Sequence, residues 1–176
     1  MAILIAVSHR WDEKYANAAL SERPPEALVV QVAETRTPGR ALDLACGLGR
    51  NALYLAAQGW QVTAVDYSTV ALDILSERAA EGLPVHIVHA DLEKDEYSIA
   101  PNAWDLIIDC CYLQRSLFTA IKAGVRQGGA FVGVFPMSGI NPAYLMKPGE
   151  GRELFEGWTF LQYTENERTE ILAEKP

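Results

Sequence analysis

Residues 40–52 read Arg-Ala-Leu-Asp-Leu-Ala-Cys-Gly-Leu-Gly-Arg-Asn-Ala, and no other stretch of the chain limits its fold as strongly. An apolar strand carries one carboxylate, Asp43, into a turn with glycines at 47 and 49, and a helical pattern follows at once. A carboxylate in a buried strand needs a partner, because burial of an unpaired charge is costly. A glycine turn lets a ligand approach the backbone closely, and the free N–H groups of the following helix start attract anionic groups. The stretch therefore suits a ligand that is anionic toward Cys46-Gly47-Leu48-Gly49 and donor-rich or cationic toward Asp43.

The rest of the chain repeats the strand–helix alternation that this stretch begins. Pro24 and Pro25 open a helix to about Thr35, with Leu28, Val32 and Thr35 on one face, and Thr37-Pro38-Gly39 stops it. Strands are expected at Ala41–Ala45, Gln61–Val65, Val85–Val88, Trp104–Ile108 and Ala130–Phe135, and helices at Arg50–Gln58, after a Ser68 cap, and at Leu113–Val125. Strand four is a mostly apolar run of the kind covered on both faces. This order indicates an α/β, doubly wound, mostly parallel sheet. The tail departs from it: after a Pro/Gly-rich loop at 136–149 and a short helix near Glu150–Phe155, Trp158–Tyr163 and Arg168–Ala173 read as an antiparallel hairpin. Seven strands are expected, in one domain over 1–176. An N-terminal helical segment occupies 1–36, a ligand-binding core 40–135, and a substrate-side loop and hairpin 136–176.

Composition narrows the class. The 176 residues are 49% apolar and 22% charged, with a net charge of −8. An acidic chain argues against a broad nucleic-acid footprint or membrane-surface binding, both of which use clustered Lys and Arg. Three cysteines, Cys46, Cys110 and Cys111, form no C-x-x-C pair and suit a reducing, cytoplasmic setting. The apolar run 2–7 is too short to span a bilayer and lacks the basic flank of a signal peptide; it reads as an arm packed on the domain. The His and Cys positions show no metal-ligand spacing, so no metal is expected.

In open α/β sheets ligands bind at the carboxyl ends of the strands. Three acids stand there: Asp43 in strand one, Asp66 ending strand two and Asp91 following strand three. Asp66 suits a ribose diol and Asp91 an adenine amino group, with Tyr67 and Leu92 placed to flank the ring. Asp43 would face an aminoacyl end.

Leu42-Asp43-Leu44-Ala45-Cys46-Gly47-Leu48-Gly49-Arg50-Asn51-Ala52 resembles motif I of the class I S-adenosylmethionine-dependent methyltransferases. Val62–Ser68 is similar to the acidic motif that follows, Ala90-Asp91-Leu92 to the third, and Val125–Ala130 to the turn before strand five. Trp11–Ala16, together with the Gly49–Leu55 run, resembles the tellurite-resistance and thiol-methyltransferase-like branch. The resemblance covers roughly residues 9–175 and implies methyl transfer from S-adenosylmethionine to a small acceptor, with Asp43, Ala45, Cys46, Gly47, Asn51, Asp66, Tyr67, Ser68, Asp91, Leu92 and Asp109 at the cofactor. Trp11 and Tyr15, four apart on one helical face, would close over its methionine end or anchor the segment to the core. Ala45 stands where a glycine is usual and fits if its backbone angles are ordinary. Gln127 replaces a common proline, and the short region after strand five implies a reduced substrate lid.

The acceptor would sit over strands four and five, near Asp109, Cys110, Cys111, Tyr112 and Arg115, with Phe135, Asn141 and Tyr144 from the later loop. Asp109, Tyr112 and Arg115 are the expected catalytic residues. Asp109-Cys110-Cys111-Tyr112 has the spacing of the Asp/Asn-Pro-Pro-Tyr motif of amino-methyltransferases without its prolines, which weakens a nucleobase or amine acceptor. Cys110 and Cys111 read as buried small residues, and as strand neighbours they point to opposite faces, so they would chelate a soft element poorly. His9 in the N-terminal segment would serve as a base only if it faced the site; His86 and His89 carry no expected role. Gly47–Ala52 also satisfies G-x-G-x-x-A, the fingerprint of a nicotinamide-dependent oxidoreductase, but Asp43 would repel a pyrophosphate and the hairpin has no place in such a domain. A cofactor-binding protein without independent catalysis is the remaining alternative.

Overall fold

The computed structural model describes residues 11–13, 15, 23–79 and 82–176. Its strands, β1 (Arg40–Leu44), β2 (Gln61–Asp66), β3 (Val85–His89), β4 (Trp104–Cys110), β5 (Val125–Pro136), β6 (Thr159–Glu165) and β7 (Arg168–Glu174), form a seven-stranded sheet of order β3-β2-β1-β4-β5-β7-β6. The seven strands and the antiparallel C-terminal hairpin are as expected from the sequence; the order of the strands is set by the pairing. The chain folds as two compact units, one of the described residues to Pro38 plus Ala45–Tyr97, the other of Gly39–Leu44 plus Ser98–Pro176.

The first unit holds α1 (Ala27–Thr35), α2 (Arg50–Ala57), β2 (Gln61–Asp66), α3 (Thr69–Ala79), β3 (Val85–His89) and a 3-10 turn at Leu92–Lys94. Strands β2 and β3 pair in parallel from Val62↔Val85 to Asp66↔His89. Helix α1 buries Leu28, Val29 and Val32. Its start is tied to α2: the Glu26 amide donates to Asn51 Oδ1 at 2.9 Å, and the buried Glu26 carboxylate pairs with Arg50. Of the expected N-terminal helical segment, Trp11–Glu13 and Tyr15 are helical, whereas the apolar run 2–7, His9, residue 14 and residues 16–22 lie outside the described residues.

The second unit holds β1 (Arg40–Leu44), β4 (Trp104–Cys110), α4 (Leu117–Gly124), β5 (Val125–Pro136), a 3-10 turn at Pro142–Tyr144, α5 (Glu150–Leu154), β6 (Thr159–Glu165) and β7 (Arg168–Glu174). Strand β4 lies between β1 and β5, parallel to both, so its run of Leu106, Ile107 and Ile108 is fully buried. Helix α4 starts at Leu117, not at Leu113 as the apolar pattern suggests. The expected turn 127–129 is absorbed into β5: between the pairs Trp104↔Val125 and Leu106↔Ala130, β5 advances five residues while β4 advances two. Gly128, within that stretch, has φ 72, a left-handed conformation that glycine adopts without strain.

Beyond β5, β7 and β6 add antiparallel. A cluster of phenylalanines fills this unit. Phe118 meets Phe131, Phe135 and Phe155 edge-on at 5.8–6.2 Å, and Phe131 stacks on Phe155 at 4.5 Å. Gly133 has to be small, since a Cβ there would come within 2.6–2.7 Å of the Phe135 and Phe131 rings.

Candidate cofactor site

In the first unit the glycine turn is tied to the end of β2. The Cys46 amide donates to Val65 O at 3.0 Å, and the Gly47 amide donates to Asp66 Oδ2 at 2.8 Å. The other oxygen of Asp66 accepts from the Ser68 amide at 2.9 Å. Asp66 is 4% exposed. Burial pushes its carboxyl above the ordinary value, against the pull of the Ser68, Gly47 and Tyr67 amides; the Asp12 charge adds to the rise. A carboxylate offers about four acceptor positions, so acceptor capacity remains on Asp66 for a ligand diol.

The turn itself is left-handed at three positions: Ala45 at φ 51, Gly47 at φ 54 and Gly49 at φ 75. The backbone at Ala45 is therefore not ordinary, and the condition under which alanine was expected to fit without strain is not met. An L-residue is strained there, and the glycine usual at this place in the resembling family would not be. Gly49 is demanded twice, by its angle and by Leu75, whose Cδ1 would lie 2.2 Å from an added Cβ.

Ser68 caps α3 as expected, accepting the Ala71 amide at 3.2 Å, and donates its hydroxyl to Asp12 Oδ1 at 2.5 Å. The Tyr15 hydroxyl lies over the turn, 2.8 Å from where a Gly47 Cβ would stand, and the Trp11 and Tyr15 rings stack at 5.7 Å. The N-terminal helical residues thus touch the glycine turn and the start of α3. Asp12 did not stand out in the sequence; a lone acid beside Trp11 carries no pattern.

Asp91 begins the 3-10 turn, with Oδ1 accepting the Glu93 amide at 3.0 Å and Oδ2 2.7 Å from Lys94 Nζ. Leu92 is buried. Tyr67 is half-buried, its hydroxyl pushed up by burial and by the Asp66 charge, and its carbonyl oxygen accepts from His89 Nε2 at 2.8 Å. Asn51 spends its carbonyl on Glu26.

In the second unit the two strand carboxylates are sealed. Asp43 is 2% exposed and Asp109 is 0% exposed. Both oxygens of Asp109 are buried without a hydrogen-bond partner among the described residues. Burial drives the Asp109 carboxyl well above its ordinary value, and the Asp43 charge pushes it further in the same direction.

Cys110 ends β4 and is half-buried. Cys111 follows it outside the strand, exposed, at φ 66, with its amide donating to Val134 O at 2.7 Å. The expectation of two buried neighbours in one strand is corrected, because the chain turns sharply after Cys110. The Tyr112 hydroxyl donates to Gln114 Oε1 at 2.5 Å. Arg115 grips Glu150 with two nitrogens, Nε at 2.5 Å and Nη2 at 2.9 Å, and also donates to Ala143 O and Leu145 O. Glu150 was not anticipated; it lies 35 residues away with no local signal.

Residues 41–129 match the methyltransferase-domain family. This chain belongs to that family. The methyltransferase domain is of the class I type, on the TehB-like branch. Over 152 residues it is 30% identical to the probable S-adenosyl-L-methionine-dependent methyltransferase TehB of Haemophilus influenzae, covering 78% of this chain and 52% of that protein. The chain thus spans about half the length of the curated relatives it matches. The crystal structure of TehB from Haemophilus influenzae matches with a TM-score of 0.78 at 25% identity, over 86% of this chain and 62% of that one. A TehB-like SAM-dependent methyltransferase from Corynebacterium glutamicum shares the fold, with a TM-score of 0.71 at 21% identity over 97% and 99% of the two chains. No helix among the described residues of the methyltransferase domain is long and apolar enough to cross a membrane.

Proposed function

We propose that this chain is an S-adenosylmethionine-dependent methyltransferase acting on a small-molecule acceptor. The observation that carries the reading is Asp66: a buried carboxylate at the end of β2 that holds both the glycine turn and the start of α3 and keeps acceptor capacity in reserve. When bound, S-adenosylmethionine supplies a methyl group already activated as a sulfonium substituent.

The chain's own residues position and desolvate. In the first unit Asp66 receives ribose hydroxyls, and Asp91 an adenine amino group between Tyr67 and Leu92. Ala45, Cys46 and Gly47 offer backbone, Asn51 and Ser68 brace the two helix starts, and Trp11 and Tyr15 cover the turn. In the second unit Asp43 and Asp109 suit a cationic, donor-rich group, whose positive charge would offset the repulsion between them. Tyr112 is the group proposed to meet the acceptor, while Asp109, fully buried, is proposed to act with Asp43 on the cofactor side.

The test is calorimetric titration with S-adenosylhomocysteine, with NADH in parallel. Micromolar binding of the former, lost in Asp66→Ala, is expected. Binding of NADH alone would overturn the reading in favour of an oxidoreductase. Cofactor binding without turnover on a panel of small thiols, amines and oxyanions would favour a protein lacking independent catalysis.

A further inference from the structure

The loop between β5 and α5 has little to hold it. Across residues 137–149 a single side chain, Met146, is buried; Ile140 is fully exposed and Tyr144 is 41% exposed. Loops with so few apolar contacts sit at the low-stability end of a fold. This one nevertheless has a defined course. Asn141 Oδ1 accepts the Ala143 amide at 3.1 Å, and the Met146 amide donates to Pro136 O at 2.9 Å.

The two ends of the loop are tied to the hairpin, the Met137 amide donating to Glu167 O at 3.2 Å and the Gly149 amide to Glu165 Oε1 at 2.8 Å; between them, one side chain makes the longer-range bonds. Arg115 donates from Nη1 to Ala143 O at 2.8 Å and from Nη2 to Leu145 O at 2.9 Å, while Nε and Nη2 clasp Glu150 at the start of α5. Glu150 in turn accepts the Lys147 amide at 2.9 Å. Four donations from one guanidinium therefore meet three points of the loop and its exit. Only an arginine has the planar, five-donor geometry for this, since a lysine offers a single point charge. All three nitrogens are engaged within the protein, so Arg115 is poorly placed to act on a reacting atom.

We propose that Arg115 is a positioning residue: through Glu150, Ala143 and Leu145 it sets the course of the 137–149 loop, and so the acceptor specificity of the methyltransferase. The acceptor part of this inference rests on the function proposed above; the clasp itself does not. The loop presents Ile140 and Tyr144, so the acceptor it selects has an apolar body.

Amide hydrogen exchange on the intact chain tests it, with wild type, Arg115→Ala, Arg115→Lys and Glu150→Gln compared. Exchange at Ala143–Glu150 should rise at least tenfold in Arg115→Ala and several-fold in Glu150→Gln, with β4 and β5 unchanged and no rescue by lysine. Affinity for S-adenosylhomocysteine should stay within twofold. On whichever panel acceptor turns over, KM should rise at least tenfold while kcat changes less than threefold. Unchanged loop exchange in both Arg115→Ala and Glu150→Gln would overturn the clasp. A kcat loss of a hundredfold at constant KM would overturn the positioning role and return Arg115 to the reacting atoms. If wild type fails to bind S-adenosylhomocysteine, the proposed function fails, and the exchange data still decide the clasp. Should Arg115→Ala not fold, Glu150→Gln carries the test.

Discussion

Asp66 Oδ2 accepts the Gly47 amide at 2.8 Å, so one carboxylate sets the shape of a turn nineteen residues upstream. The carboxylate must be ionised to serve both this amide and the hydroxyls of a ribose. Burial raises its proton affinity, so the ionised form is lost on acidification earlier than for an ordinary aspartate, whose pKa is about 3.9. Affinity for S-adenosylhomocysteine should therefore weaken as pH falls toward the acid range, beginning above that value. Titration calorimetry across a pH series checks this. A flat profile would mean that Asp66 does not accept from the ligand.

Ala45 stands at φ 51 in the same turn. An L-residue in the left-handed region costs about 1–2 kcal/mol, and glycine returns about 0.5–1 kcal/mol of that as chain entropy in the unfolded state. Ala45→Gly is thus expected to stabilise the fold by about 0.5–1 kcal/mol. For a chain of this length that is a rise of roughly 1–4 °C in Tm. The urea midpoint should rise with an unchanged slope. No gain would show that the turn relaxes around alanine at no cost.

Gly49 and Gly82 have similar backbone angles, φ 75 and φ 84, but different surroundings. A Cβ at Gly49 would run into Leu75, while one at Gly82 meets nothing within 4 Å. Gly49→Ala should cost about 2–4 kcal/mol, combining backbone strain with overpacking, and Gly82→Ala only the strain, about 1–2 kcal/mol. Denaturant unfolding of the two variants separates the terms. Equal losses would mean that Leu75 moves aside freely.

Asp109 makes stability depend on pH in the sense opposite to a salt-bridged acid. Its folded proton affinity is raised by burial and by Asp43, so the fold binds its proton more tightly than the unfolded chain does. The contribution is fully present below the ordinary aspartate range, and it is lost as pH rises through that range toward the raised folded value. Asp109→Asn removes this term. It should raise Tm at neutral pH relative to wild type, and change it less at pH 4. Thermal scans at the two pH values check the sign. A larger gain at pH 4 would refute it.

Much of this molecule is legible in its sequence, and the reasons are local. Strands and helices announce themselves through apolar periodicity, and breakers such as Thr37-Pro38-Gly39 and Gly82-Leu83-Pro84 separate them. The acids at strand ends stand out because a carboxylate beside an apolar run is unusual. The Ser68 cap was readable for the same reason, since its partner Ala71 is three residues away.

What escaped depends on contacts between distant residues or on backbone angles. The start of α4 at Leu117 instead of Leu113 goes with a turn after Cys110, and neither apolar spacing nor composition encodes it. The absorption of Gln127-Gly128-Gly129 into β5 depends on pairing with β4.

By itself, the sequence determined the alternation of elements, the hairpin at the end and the acidic positions that mark a class I methyltransferase domain, because each rests on spacing within a few residues. Only the tertiary structure decided that Ala45 is held in a left-handed conformation, that Asp109 is sealed from hydrogen-bond partners among the described residues, and that Arg115 closes on Glu150. These depend on which distant groups the packed chain brings within a hydrogen bond's reach and which it shields from water. The energies involved do not exist until the chain has folded.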